Sequence, residues 1–407
     1  MPYLLPDSQL TREQRAVVEL RPDRHHLVLG PPGSGKTQVL LHRGRWLRDR
    51  FASPPERFRI FVYTNVLSQF LRQSLDLLGI PNENVQTFDE WCGELWTEFV
   101  GGRKPTVPTG KKKGTATVTD YMGIRAKVAQ VLEFKPPAQK RLDFALVDEG
   151  QDLTRDAYRI LRVLAGHVTV FADARQQIFE GGLGEGEILR ELGITQQSAA
   201  FLPAYRNSPD VARLASYFGT RFEGQNFSAK EREKPSFYIA ADWDEEVDQI
   251  ARVLRERMHL GQRACIIVPQ VRDVYGLAGR LAERGMEIQK ATSPRRGQAP
   301  ADFESITPKI ATYHSAKGLT FDCAILPRLV ELGFKRLSAE RRHRLLTVGI
   351  SRATRWVYLS TVRGYEFNEA QVLRQAVAAG DLFLRESAVT SAAPQGPEPE
   401  VEDESFL

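Results

Sequence analysis

Short apolar runs of strand length alternate along the chain with longer stretches in which apolar residues recur every three to four positions. That alternation builds parallel sheets covered by helices. Strands are predicted in the first half at His26–Leu29, Ile60–Thr64, Ala145–Val147 and Val168–Ala172. The second half repeats the theme at Ser236–Ala240, Ala264–Val268, Glu287–Lys290, Ile310–Tyr313, Cys323–Leu326 and Trp356–Thr361. Helices are predicted over Lys36–Arg48, Val66–Leu78, Asp244–Met258, Tyr275–Arg284, Ala339–Ser351 and Asn368–Ala379. Two α/β domains in tandem fit this rhythm better than one.

Three segments break it. Residues 91–142 read as an insertion in the first domain. They hold a candidate helix with Trp91, Leu95, Trp96 and Phe99, a loop with Arg103, Lys104, Lys111, Lys112 and Lys113, and a second helix near Tyr121–Leu132. Ser293–Pro308 reads as a polar surface loop, and from Ala388 the chain is small, polar, proline-bearing and acidic, the composition of a disordered tail. The expected domains are therefore 1–205, 206–387 and a tail over 388–407.

Composition narrows the class. With 42% hydrophobic residues and three Cys in 407, neither a disordered chain nor a disulfide scaffold fits. The formal charge of +5 is uneven: all 56 basic residues but only 46 of the 51 acidic ones precede Ala388, which leaves +10 on the body. A basic body points towards a phosphate-rich partner. No apolar run approaches the roughly 20 residues of a membrane span, and the start lacks the pattern of a signal peptide, so a cytoplasmic location and no membrane partner are expected. Cys92, Cys265 and Cys323 have no metal-ligand spacing and read as inert reduced thiols.

The sharpest signal follows the first strand. His26–Leu29 runs into Gly30-Pro-Pro-Gly33-Ser34-Gly35-Lys36-Thr37, a full G-x-x-x-x-G-K-[ST] match between a strand and a helix. Its glycines let backbone N–H groups curl around phosphates, Lys36 would neutralise the β- and γ-phosphates, and the Thr37 hydroxyl would ligate Mg²⁺. A metal-holding and water-activating half is also needed. Leu146-Val-Asp148-Glu149-Gly-Gln151-Asp152 supplies it, with Asp148 towards Mg²⁺ and Glu149 as base for the attacking water.

Taken in chain order, from Leu10 to about Leu359, these pieces resemble superfamily 1A helicases of the UvrD/Rep type. Leu10-Thr-Arg-Glu-Gln14 resembles the adenine-reading motif, and Asp148–Asp152 the D-E-x-Q-D box. Ala172-Asp173-Ala-Arg-Gln176-Gln-Ile178-Phe179 is similar to the coupling motif, with Gln176 as γ-phosphate sensor. Tyr205-Arg206 matches the pair that stacks on adenine and reaches the γ-phosphate. Thr312-Tyr-His314-Ser-Ala-Lys317-Gly318-Leu-Thr-Phe-Asp322 resembles the DNA-facing motif of the second domain, with Gly318 expected beside the nucleotide. Arg344–Ala353 resembles the last motif, with Arg352 as arginine finger.

The resemblance implies two tandem RecA-like P-loop domains with parallel sheets flanked by helices, ATP and Mg²⁺ between them, and DNA across their tops. Tyr63, Thr64, Asn65, Thr87, Phe88, Thr312 and His314 would make the nucleic-acid contacts. For Tyr63 and Phe88 ordinary core packing is the alternative, and for His314 a local hydrogen bond. The chain departs from the pattern in lacking the large accessory subdomains, and Gly181 falls near the usual stacking Trp. Asp89 replaces a usual His, Ala204 an Asn, Thr320 a Glu and Thr347 a Tyr. The expected function is an ATP-dependent helicase or translocase moving 3′→5′ on single-stranded or tailed DNA, as in DNA repair. The alternative is a nucleotide-controlled DNA-binding subunit of a defence or repair assembly, and RNA remains open as a substrate. The Arg103–Lys113 loop could grip duplex or be simply solvated. The acidic tail, ending Ser405-Phe406-Leu407, could dock a protein partner, compete with DNA, or only solubilise.

Overall fold

The computed structural model describes residues 4–108, 117–173, 181–194, 199–202, 207–219, 233–292, 301–335 and 337–388. The first half contributes α1 (Arg12–Val18), β1 (His26–Leu29), α2 (Lys36–Phe51), β2 (Phe58–Val62), α3 (Asn65–Leu75), β3 (Val85–Thr87), α4 (Phe88–Leu95), β4 (Thr106–Pro108), β5 (Thr117–Thr119), α5 (Tyr121–Phe134), β6 (Leu142–Val147), α6 (Arg155–Leu164), β7 (Ala165–Ala172), α7 (Glu185–Leu192) and β8 (Ala199–Phe201). The second half contributes α8 (Pro209–Ser216), β9 (Ser236–Ala240), α9 (Trp243–His259), β10 (Ala264–Val268), α10 (Val271–Glu283), β11 (Gln289–Lys290), β12 (Lys309–Thr312), α11 (Tyr313–Ala316), β13 (Phe321–Leu326), α12 (Glu331–Phe334), α13 (Ala339–Ser351), β14 (Ala353–Val362), α14 (Ala370–Ala378) and β15 (Phe383–Glu386).

Two parallel sheets result, of six strands in the order β3-β2-β6-β7-β1-β8 and seven in the order β11-β12-β10-β13-β14-β9-β15. Their central strands are buried along nearly their whole length, as β1, β6, β10 and β13 show, because helices cover both faces and leave no polar side. One apolar cluster passes from Leu40 and Leu67 in the first half to Tyr313 and Leu346 in the second, and the outer faces bury separate clusters. The strand β7 lies between β1 and β6, so the P-loop strand and the Asp148 strand are next-but-one neighbours.

The predicted strands and helices recur with shifted ends. β2 stops at Val62, before Tyr63 and Thr64, because the Thr64 hydroxyl accepts the Leu67 N–H at 3.0 Å and starts α3 instead. In the insertion, α4 passes into one π-helical turn, Trp96–Val100, ended by Gly101 and Gly102 at φ 74° and 73°. The expected basic loop contains β4, which pairs antiparallel with β5; Lys111, Lys112 and Lys113 lie outside the described residues. Asp89 accepts two hydrogen bonds from Arg125, at 2.9 and 2.5 Å, and thereby ties α4 to α5. Of the expected Ser293–Pro308 loop, 301–308 are described and form no strand or helix. The acidic tail from 389 lies outside the described residues.

All three cysteines are free and buried; burial pushes the thiols up, Cys323 to about 12, so they stay protonated. No helix among the described residues is long and apolar enough to cross a membrane.

Candidate nucleotide-binding site

The P-loop leaves β1 at Leu29 and enters α2 at Lys36, and its curl depends on glycine. Gly33 and Gly35 have φ of 76° and 82°, a region that side chains rarely adopt. A Cβ on Gly30 would stand 2.6 Å from Ser34 Oγ and one on Gly35 2.7 Å from Gln14 Nε2, so the loop is also too tight for side chains there. Lys36 Nζ donates to the carbonyls of Gly30 at 2.8 Å and Pro31 at 3.2 Å, across the mouth of the loop. Ser34 Oγ is buried with no hydrogen-bond partner among the described residues.

Gln14 is placed by a capping box at the start of α1: its Oε1 accepts from Thr11 N, and its own N–H donates to the Thr11 hydroxyl. Its Nε2 donates to Ser34 O at 3.1 Å. The amide therefore braces the P-loop, and reading a base edge would require it to exchange these bonds.

Thr37 Oγ1 donates to Asp148 Oδ2 at 2.8 Å, which joins the P-loop to the end of β6. These are hard oxygen donors at one point. Among the described residues no three His, Cys, Asp or Glu gather as a metal cluster. One carboxylate and one hydroxyl beside a phosphate cradle suit Mg²⁺, which keeps waters and substrate oxygens in its shell rather than an all-protein cage. Burial and the neighbouring Glu149 push the Asp148 carboxyl up, with the Thr37 bond and Lys36 opposing.

Glu149 follows in a left-handed conformation, φ 52°. Its Oε2 accepts from Gln151 Nε2 at 2.6 Å, while Gln151 Oε1 accepts from Asp173 N at 2.9 Å, so one amide links the exits of β6 and β7. Burial alone would raise the Glu149 pKa. The charges of Lys317, Lys36 and Arg352 more than reverse this and hold the carboxylate ionised.

Two of those cations come from the second half. Lys317 is fully buried, bonded to Asp152 and 3.5 Å from Glu149; burial disfavours its charge, but the two carboxylates outweigh that and raise its pKa. Arg352 is 6% exposed and donates to Val348 O, Leu319 O and Ser351 Oγ. Gly318, at φ 82°, sits so close to Leu67 of α3 that a Cβ would lie 2.5 Å from Leu67 Cδ2. It is a close contact between the halves. Gln176, Tyr205 and Arg206 lie outside the described residues, as do Ile178, Phe179 and Ala204.

The residues expected to face nucleic acid divide. Thr64, Thr87 and Thr312 each cap the helix that follows its strand, α3, α4 and α11, accepting backbone N–H groups at 3.0, 3.2 and 3.1 Å. Asn65 opens α3, with Oδ1 buried and unbonded among the described residues. Phe88 is 3% exposed, its ring centroid 5.2 Å from Phe61 and 5.6 Å from Trp91. Phe88 thus packs in the core where β3 passes into α4. Tyr63 lies under Lys317, with Nζ 5.1 Å from its ring centre, and burial with Asp152 and Glu149 raises its phenol pKa. That sets it in the carboxylate cleft. His314 is half-buried, and burial, with Arg341 and Lys317, pushes it down to about 4, so it is neutral at pH 7.

Lys317 and Gln151 also shape the site, and both stand within motifs legible in the sequence.

A strand, a glycine-curled loop capped by a helix, and a carboxylate pair one strand away define a P-loop nucleotide-binding protein. Residues 13–182 match a family described as an AAA domain, a span that contains the P-loop and Asp148–Asp152. Among solved structures, the chain is similar to the C-terminal domain of a possible DNA helicase from Lactobacillus plantarum WCFS1, at 18% identity and a TM-score of 0.35, over 44% of this chain and 98% of that one. None of the curated proteins matches.

Proposed function

We propose that the chain is a DNA-dependent ATPase, a compact translocase or helicase of the UvrD/Rep type moving 3′→5′ on single strands. In this reading domain 1–205 binds ATP and domain 206–387 closes on it. The observation that carries the reading is the meeting of Lys317 and Arg352, from the second half, with Glu149 of the first. A cleft in which one half holds phosphates and carboxylates while the other brings cations makes the γ-phosphate the hinge of their relative position.

Thr37 and Asp148 would hold Mg²⁺, which when bound neutralises developing phosphate charge. Lys36 exchanges the Gly30 and Pro31 carbonyls for phosphate oxygens. Glu149 takes the proton of the attacking water. Lys317 beside it lowers its basicity, so the carboxylate becomes a better base when the halves shift and that lysine withdraws. Arg352, with Arg206, neutralises charge spreading over the γ-phosphoryl oxygens, and Gln176 senses that group. Gln14 and Tyr205 hold the base. Gln151 ties Glu149 to Asp173 of the coupling motif, so a change at the phosphate reaches the segment that follows β7.

Nucleic acid would cross the threonine-capped ends of β2, β3 and β12, where helix N-termini and hydroxyls favour phosphate. The buried Phe88 and the occupied Tyr63 favour a second reading, a nucleotide-controlled DNA-binding subunit in which stacking is not the source of grip. Phosphate release with and without single-stranded DNA tests the first reading, followed by displacement of 3′- and 5′-tailed duplexes, with Lys36→Ala as control. Stimulation and displacement of the 3′-tailed substrate are expected. Stimulation by RNA alone would reassign the substrate, no stimulation would refute the motor, and ATP-dependent affinity without displacement would favour the subunit.

A further inference from the structure

Arg352 sits at the turn between α13 and β14, where a helix end and a strand start leave carbonyls without intrahelical partners. Every carbonyl from 351 to 355 is nonetheless engaged. Asn207 Nδ2 donates to Ser351 O at 3.0 Å and to Ala353 O at 2.7 Å, the two carbonyls that flank the arginine. The carbonyl of Arg352 itself accepts from Phe321 N at 2.9 Å. Ser208 continues the clasp, its N–H donating to Thr354 O at 2.9 Å and its hydroxyl to Arg355 O at 3.0 Å.

Asn207 is 4% exposed, and its Oδ1 has no hydrogen-bond partner among the described residues. A buried carboxamide with both N–H groups used and an idle oxygen is present for its donors. Aspartate has the same shape and no donor, and serine has one donor. The preceding residue in sequence, Arg206, lies outside the described residues. One side chain thus fastens the start of the α8 segment to the backbone on both sides of Arg352.

We propose that Asn207 is a positioning residue for Arg352, tying the turn that carries this arginine to the segment that leads into α8 so that the guanidinium is held where it meets the γ-phosphoryl group. The proposal rests on the arginine-finger reading of Arg352. It assigns Asn207 an effect on the phosphoryl-transfer step and none on ground-state nucleotide binding.

The test is a double-mutant cycle on the full chain, with steady-state ATP hydrolysis on single-stranded DNA and thermal melting measured for each protein. Displacing a catalytic group by about 1 Å can cost on the order of 10²-fold. Asn207→Ala is expected to lower kcat by about that factor with KM for ATP within about two-fold, and Asn207→Asp to do no better despite its shape. In an Arg352→Ala background, Asn207→Ala should lower kcat no further, while its effect on melting persists in both backgrounds. Binding of ADP with aluminium fluoride should weaken in Asn207→Ala and binding of ADP should not. If Asn207→Ala does not fold, Asn207→Ser serves in the same cycle, with an intermediate kcat expected. An equal loss of kcat in both backgrounds, or a loss confined to KM, overturns the positioning role. A normal kcat in Arg352→Ala overturns the finger reading instead, and the proposal with it.

Discussion

Glu149 holds a left-handed backbone that costs a non-glycine residue about 1–2 kcal/mol, and it does so buried beside a second carboxylate. Such strain persists where surrounding contacts over-determine it, here the Gln151 and Lys317 contacts. Glu149→Gln keeps the shape and loses the base, so phosphate release is expected to fall by about 10²–10⁴-fold while fluorescent-nucleotide affinity is retained. Gly318 makes the complementary case. A methyl there meets Leu67 and an unfavourable φ at once, so Gly318→Ala should lower unfolding stability in urea by about 1–3 kcal/mol. Leu67→Ala should recover only the steric part. The glycines of the P-loop and the adjacent carboxylates were legible in the sequence because their chemistry is local: the spacing itself implies the curl. The surroundings of Phe88 and Tyr63 were not, since burial depends on which elements pack across them.

At the scale of elements, period and length located nearly every central strand, and β1, β9 and β10 fall where the apolar runs end. The edge strands β3 (Val-Gln-Thr), β8 (Ala-Ala-Phe) and β15 (Phe-Leu-Arg-Glu) were missed because none forms an apolar run that stands out from its neighbours, as the equally short β1 does. Helix starts shifted where a threonine hydroxyl outcompeted strand extension. Asp89 in place of the usual histidine gains meaning from α5, since Arg125 is held over Phe88 and bonded to that aspartate. Arg125→Ala should cost about 1–3 kcal/mol, read as faster hydrogen exchange in the α5 amides while those of β10 are unchanged. The base of the first sheet is acid-sensitive. Burial, then Arg43, pushes His167 down to about 2, and its Nε2 faces both Arg43 and Thr169. The unfolded chain takes up that proton near pH 6.5 and the folded one does not. The contribution is therefore complete above about 6.5 and is lost as pH falls towards 2. His25 and His26, also lowered, add to the same slope. Urea midpoints should drop between pH 7 and 5, and His167→Gln should flatten that drop.

Across the whole molecule the halves are joined by Lys317 with Asp152 and Glu149, by Gly318 on Leu67, and by Phe70 against Phe303 with ring centres 5.1 Å apart. Removing the lysine strands two buried carboxylates, so Lys317→Ala should destabilise by about 3–5 kcal/mol, measured as a lower melting temperature. The order of strands also sets a timetable. The first sheet has all its strands once Phe201 is made, whereas β9 sits between β14 and β15 and the second sheet stays open until Glu386. At about 5–20 residues per second that interval is on the order of 10–40 s of synthesis. Until residues 303–318 are made, Leu67 and Phe70 lack Gly318 and Phe303, and Asp152 and Glu149 await their lysine. A nascent chain halted within this window presents a finished first half with an adhesive face, the stretch of its life in which a holding chaperone would matter most.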